Sequence, residues 1–318
     1  MTTTEEIRSD AQGNRFVLRR RPCPVCGVDA RTLLGMRGGA HHRYRQGIES
    51  RIVRCDCCGL LFPDPFPFPL DPQRLYGEPD EYFGTTDTAR KIDAYRWLMR
   101  EIAERLGRPR FSVLDVGCGR GELLAAARLS GVEAVGLEPS EAMAARARES
   151  FGVDVHCQTI EKLARSSDAA FDAVTLCGVL EHVHDPDSVV ASVRKLTRPG
   201  AVVYIDVPRE PNLLTIVGNA WNRVKGSPAV YNLQPTWPPY HVFGFNPRAI
   251  DVLLSKYDFR IESLHVQADI HVPYRDDWKD RVRALVASQI HRLGNRTNFG
   301  ANMCVWARRQ SGPTLHAS

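Results

Sequence analysis

The chain has no apolar run approaching the roughly 20 residues that a membrane-spanning helix needs, so no bilayer span is expected. It has no strong excess of charge either. Its 42 basic and 37 acidic residues leave a net charge of +5, too mild to demand a polyanionic partner. Arg19, Arg20 and Arg21 form a tight basic cluster that reads as a solvated approach to the first domain. The interleaved basic and aromatic pattern of a single-strand nucleic-acid surface is missing, so nucleic acid is not expected as a partner. Met1 to Ala11 is polar and mixed in charge, without the apolar core of a secretory signal, and export is not expected. There is no internal repeat, and the Thr- and Glu-rich head and Ser-Gly-Pro tail read as disordered.

What remains is ordinary for a soluble globular protein, with 43% apolar and 25% charged residues. A length of 318 residues suggests two domains. Nine cysteines, an odd number without an export signal, point to a reducing, cytoplasmic location.

Val113-Leu114-Asp115-Val116 reads as the end of a buried strand, and Gly117, Gly119 and Gly121 as a side-chain-free turn around Cys118. Glu122 to Ser130 then carries strong helix formers. Such a strand, turn and helix let a ligand lie against backbone N–H groups at a helix N-terminus. The spacing G-x-G-x-G departs from the dinucleotide fingerprint G-x-G-x-x-G. Asp115 just before the first glycine would repel a pyrophosphate and suits an ammonium-bearing ligand. The turn therefore reads as built for S-adenosylmethionine (SAM) rather than NAD.

Cys23-Pro24-Val25-Cys26-Gly27 and Cys55-Asp56-Cys57-Cys58-Gly59 both read C-x-x-C-G. Each is a knuckle aiming two thiolates at one point, and Cys23, Cys26, Cys55 and Cys58 make a closed, structural zinc site of ribbon type. Reduced buried cysteines or a redox pair are the alternatives. The ribbon should occupy 16–62, with Arg51 to Arg54 as a strand into the second knuckle. Pro63 to Pro72 reads as the start of a stiff linker over 63–86. Asp87 or a nearby Thr caps the next helix, whose Ile92, Tyr95, Leu98, Met99, Ile102 and Leu106 share one face, and Gly107 ends it. Strands and helices then alternate over 87–310 as in an α/β, doubly wound, mostly parallel sheet.

Together these features resemble the class I SAM-dependent methyltransferases. Val135-Gly136-Leu137-Glu138-Pro139-Ser140 resembles their second strand, ending in an acid 23 positions after Asp115. Phe171 to Val183, with Leu180-Glu181-His182, matches their fourth-strand motif, and Leu196 to Ala201 the turn before strand five. Phe259 to Leu264 and Ala301 to Ala307 resemble the closing antiparallel hairpin of their seven-stranded sheet. Asp80-Glu81-Tyr82-Phe83-Gly84 resembles a Tyr-rich segment of the zinc-ribbon members.

The resemblance implies roles. Asp115 should face the methionine ammonium, Glu138 the ribose, and Pro139 and Ser140 the adenine edge. Gln158 and Thr159 stand where many relatives place an Asp for the adenine amine. Cys177 should lend its backbone carbonyl, its thiol remaining inert. His182, beside Glu181, and His241, in a P-x-H-x-x-x-F element, are the candidate bases; the alternatives are a loop-shaping residue and a helix-entry contact. His41, His42 and His184 read as surface groups. Similar quinone-pathway O-methyltransferases carry a second acid three positions before the E-H pair and bind a divalent metal. This chain has Gly178 there, so a catalytic metal is not expected.

The 209–240 segment, with Leu213, Leu214, Ile216, Val217, Trp221, Tyr231 and Trp237, reads as a lid over the acceptor pocket. A packing arm or homodimer contact is its alternative use. The 269–296 segment reads as a second insertion. These features suggest a small-molecule acceptor, a hydroxyl of a sugar or natural-product intermediate. A ribbon before such a domain also resembles C-methyltransferases of nucleotide-linked deoxysugars. An RNA methyltransferase and a non-catalytic SAM-fold binding protein are the rival readings.

Overall fold

The computed structural model describes residues 6–76, 87–267 and 278–312. The expected Tyr-rich segment, the start of the second insertion and both chain ends lie outside the described residues.

Seven strands form one sheet in the order β12-β13-β11-β10-β7-β8-β9. Five run parallel: β7 (Ser112–Val116), β8 (Glu133–Leu137), β9 (Val155–His156), β10 (Phe171–Cys177) and β11 (Thr197–Pro208). The last strand, β13 (Asn302–Arg309), runs antiparallel between β11 and β12 (Phe259–Gln267), forming the closing hairpin foreseen from the sequence. Helices cover both faces, as parallel strands joined by crossovers require. The fold is the expected α/β, doubly wound sheet.

Local signals explain the element ends. Helix α2 (Thr88–Leu106) is capped by Asp87, whose carboxylate accepts from the Arg90 N–H. Its buried stripe is Leu98, Met99 and Ile102, and Gly107 in a left-handed conformation stops it. Helix α3 (Glu122–Leu129) starts at Gly121, and helix α4 (Glu141–Phe151) is capped by the Ser140 hydroxyl. Helix α5 (Ile160–Ser166) is capped by Thr159, and helix α6 (Pro186–Leu196) by Asp185.

The N-terminal region holds two three-stranded sheets, β1-β2-β6 and β3-β4-β5. Their strands are β1 (Glu6–Ser9), β2 (Arg15–Arg19), β3 (Arg31–Arg37), β4 (Ser50–Cys55), β5 (Leu61–Pro63) and β6 (Phe66–Pro69). The proline run is thus not a spacer: it supplies β5, β6 and the short helix α1 (Pro72–Tyr76). Its strands lie at sheet edges, where a residue lacking an N–H is tolerated. Phe62 and Phe66 are buried in one continuous core with Cys58, Val179, Phe243 and Leu253. The ribbon is therefore fused to the large sheet rather than tethered to it.

Candidate active site

Asp115 lies at the C-terminal end of β7, 3% exposed, and its Oδ1 accepts a hydrogen bond from the Thr175 hydroxyl at 2.7 Å. Burial pushes its carboxyl up to about 7, with Glu138 and Glu122 adding repulsion against the Thr175 bond. Glu138 ends β8 and is also buried. One of its oxygens accepts from the Gly119 N–H (3.0 Å) and the other from the Ser140 N–H (2.9 Å). Burial raises Glu138 too. It thereby ties the glycine turn to the start of α4.

The turn needs its glycines for shape. Gly117 has φ +68°, and a Cβ there would lie 2.9 Å from the Val179 side chain. The sequence reading placed free N–H groups in this turn, and the structure differs. The Gly117 and Cys118 N–H groups donate to the Leu137 carbonyl, at 2.7 and 3.0 Å, and the Gly121 N–H to the Cys118 carbonyl. What the turn offers a ligand is close backbone approach beside two buried carboxylates. The Cys118 side chain packs into the core with Leu124, Ala144 and Val155, so any cofactor contact must come from its backbone. Burial holds the Cys177 thiol well above its usual range, so it stays protonated.

A cavity of about 370 Å³ opens at this end of the sheet. Val116, Gly117, Leu137, Pro139, Ser140, Gln158 and Thr159 form one wall. Pro69, Pro72 and Leu75, which sequence reasoning had assigned to a spacer, close it from the N-terminal side. His182, Val183 and His184 line the rest. His184 is therefore not a surface group. Its ring stacks on Phe68 at 5.6 Å and meets Phe66 edge-on, and burial pushes it down to about 4. A separate cavity of about 610 Å³ lies at the N-terminal edge of the strands, among Arg108, Arg110, Asp172 and Arg198, at the opposite end of the strands from the glycine turn.

Glu181, His182 and His241 meet beside the first cavity. The Glu181 carbonyl accepts from the Val242 and Phe243 N–H groups, which pins the His241 loop to the end of β10. His182 Nε2 lies 3.7 Å from Glu181 Oε1, and the His182 and His241 rings meet edge-on at 4.8 Å. The donor atoms of all three residues lie within 4.8 Å of one another, close enough to surround a cation or, through a bridging water, to pass a proton. Glu181 is 2% exposed, and its Oε2 has no hydrogen-bond partner among the described residues. Burial pushes Glu181 up to about 8 and His241 down to about 4. Burial, reinforced by His241, pushes His182 down to about 3 against the nearby Tyr240 and Pro239 carbonyls. Near neutral pH both imidazoles are therefore neutral.

The expected lid sits elsewhere. Helix α7 (Leu213–Val224) leaves Ile216, Val217 and Trp221 exposed, as is Tyr231, and none of them lines the cavity. The segment packs instead on the ribbon, through the Met36–Ala229 bridge and the Arg37 bond to the Leu233 carbonyl. It also packs against helix α9 (Trp278–Arg296). Buried Glu210 anchors it, accepting from Asn232 at 2.6 Å and Thr215 at 3.1 Å.

The four knuckle cysteines also converge. Cys23 and Cys58 sulfurs lie 3.5 Å apart, and Cys26 and Cys55 sulfurs 3.4 Å apart. A tetrahedral zinc with thiolates at about 2.3 Å places sulfurs about 3.8 Å apart, so the cluster fits a zinc ribbon. The hydrogen bond from Cys58 holds Cys23 down to about 5, favouring a thiolate there.

The sequence pattern of a family described as a methyltransferase domain matches residues 89–264. A ubiquinone biosynthesis O-methyltransferase of Hahella chejuensis is 39% identical over 125 residues, covering 37% of this chain and 52% of the relative. The chain thus spans about half the length of that relative. A protein of the same name from Xanthomonas campestris pv. campestris is 28% identical over 198 residues, 60% of this chain and 78% of that one. A SAM-dependent methyltransferase structure from Archaeoglobus fulgidus superposes with a TM-score of 0.49 at 19% identity, covering 75% of this chain and all of that one. The family pattern begins within α2 and runs into β12, so it takes in the glycine turn, Asp115, Glu138 and the Glu181-His182 pair. On that span the chain belongs to the methyltransferase-domain family, the class I SAM-dependent methyltransferases.

Proposed function

We propose that this protein moves the methyl group of SAM to a hydroxyl of a small organic acceptor, such as a sugar or a natural-product intermediate. The observation that carries the reading is the convergence of Glu181, His182 and His241 beside a cavity walled by the cofactor motifs. The relatives' name, O-methyltransferase, supports a hydroxyl acceptor.

Bound SAM supplies a methyl on a sulfonium. Asp115 is positioned to balance its ammonium, and Glu138 to accept from the ribose with the lone pairs its two backbone bonds leave free. Pro139, Ser140, Gln158 and Thr159 form the adenine side. The acceptor oxygen attacks the methyl in line, the carbon–sulfur bond breaks, and its electron pair returns to sulfur. Most of the rate comes from holding oxygen and methyl about 3 Å apart. The hydroxyl proton must leave to a neighbouring base. A neutral imidazole can receive it first; Glu181, which burial pushes up to about 8, is mostly protonated near neutral pH and can take the proton on only in its ionised fraction. Cys23, Cys26, Cys55 and Cys58 would hold a zinc ion with no open position, which makes that metal structural.

The test is transfer of isotope-labelled methyl from SAM to a panel of sugars, phenols and quinols, with bulk RNA alongside. Label in a hydroxylated small molecule, as a methyl ether, is the expected result. Label confined to RNA, or to carbon, would overturn the acceptor assignment.

A further inference from the structure

The two cysteine knuckles grip the segment that carries His241. Helix α8 (Pro247–Ser255) begins six residues after that histidine. Its N-cap, Asn246, donates from Nδ2 to the Cys58 carbonyl (3.4 Å), while its Oδ1 accepts from the Ala249 N–H (3.0 Å). At the other end of the helix, Lys256 donates from Nζ to the carbonyl of Val25, between Cys23 and Cys26 (3.2 Å). One helix thus touches both knuckles. Between Asn246 and His241, Gly244 exchanges two backbone bonds with Leu61, three residues past Cys58, at 2.9 and 3.0 Å. On the other side of His241, the Thr236 hydroxyl accepts from the Ile48 N–H at 3.0 Å.

The His182 segment is held from the same region. Arg21, two residues before Cys23, donates to the His184 carbonyl at 2.6 Å, and Phe66 and Phe68 pack on the His184 ring. The cofactor side is held by other partners: Asp115 by Thr175, Gly119 and Ser140 by Glu138, and Gly117 by Leu137.

We infer that metal occupancy of the four-cysteine cluster governs the acceptor side of the active site and leaves the cofactor side in place. Knuckles of this kind are short turns whose shape depends on the metal joining their sulfurs. When the ion leaves, the Cys58 and Val25 carbonyls lose their fixed positions, and α8 loses its bonds to both knuckles, keeping the Asn246 cap and the Lys256 contact with Asp187 on α6. The His241 loop then parts from the Glu181-His182 segment. The ribbon is a support for the reacting groups as well as a fold in its own right, and zinc supply becomes a control on turnover. This rests on the reading of His182 and His241 as acceptor-side groups.

The experiment is hydrogen exchange on the full chain, zinc-loaded and after chelation. Stripping should speed exchange of the 242–244 amides about tenfold or more, while those of Gly119, Ser140 and β7 change less than about twofold. Unchanged protection at 242–244 in metal-free protein would overturn the inference. Should chelation unfold the whole chain, Asn246→Asp decides. That variant keeps the acceptor that caps α8 but removes the donor to Cys58, so 242–244 should exchange faster with metal content intact. Unchanged protection there overturns the coupling. Faster exchange with undiminished methyl transfer would uphold the coupling and refute the role given to the histidines, so the two failures are distinguishable.

Discussion

Raising the pH from about 5.5 to about 7.5 should tighten SAM binding roughly 25-fold, because the group that balances the ammonium is itself titrating. Asp115 is 3% exposed, and burial pushes its carboxyl up to about 7. A protonated carboxyl cannot balance a cation. The ionised fraction rises from about 3% to about three quarters over that range, a ratio near 25 and about 1.9 kcal/mol of binding free energy. The sign follows from the direction of the shift. Binding a cation favours the ionised form, so SAM expels a proton from Asp115, and affinity climbs with pH and levels off above the folded pKa.

Calorimetry near pH 6 in two buffers of different ionisation enthalpy should show release of close to one proton, about 0.9. Asp115→Asn should flatten the profile and weaken binding at neutral pH by about 1.5–3 kcal/mol, as loss of a charged hydrogen-bond partner does. A second consequence has the opposite sign. An acid whose folded pKa is raised destabilises the ligand-free protein as pH climbs from about 4 to about 7, where the unfolded chain binds fewer protons. Wild-type affinity that stays flat between those pH values, with no proton released, would refute the placement of Asp115 at the ammonium.

Three further outcomes are expected. Glu138→Ala removes the acceptor for two backbone N–H groups and for the ribose, and should weaken SAM binding by about 1–3 kcal/mol; unchanged affinity by calorimetry would exclude the ribose role. Cys26→Ser should lower zinc content and melting temperature together, and a variant matching wild type in both would dismiss the metal site. His241→Ala should cut turnover by about 10²–10⁴ with SAM affinity intact; full activity would move proton acceptance to His182 or to the substrate.

The sequence exposed those parts of the fold that local chemistry dictates. The strand–turn–helix at Asp115, the acid ending β8 and the paired knuckles each sit in a few consecutive residues. What stayed hidden depends on pairing across the chain. Thr175 holds Asp115 only because β10 lies beside β7 in the register that sets those two residues opposite each other. His184 looked like a surface residue because Phe66 and Phe68, which cover it, lie more than a hundred positions earlier. The proline run looked like a spacer because proline's missing N–H argues against a central strand and says nothing of an edge. The apolar residues of α7 suggested a lid, but hydrophobicity does not reveal which neighbour a helix will find: α7 found α9, and the residues after it found the ribbon. The glycine turn was recognised, yet its N–H groups are taken by Leu137 and Glu138, a detail that only the folded register decides.

The central claim is that this chain binds SAM on the glycine-turn side while a zinc ion sits in the cysteine cluster. Calorimetric titration of the purified protein with SAM and with S-adenosylhomocysteine, with metal content assayed on the same sample, tests it most directly. The account predicts saturable one-to-one binding of both ligands and one zinc per chain. A folded, zinc-loaded protein that binds neither would contradict it and leave the fold as a scaffold.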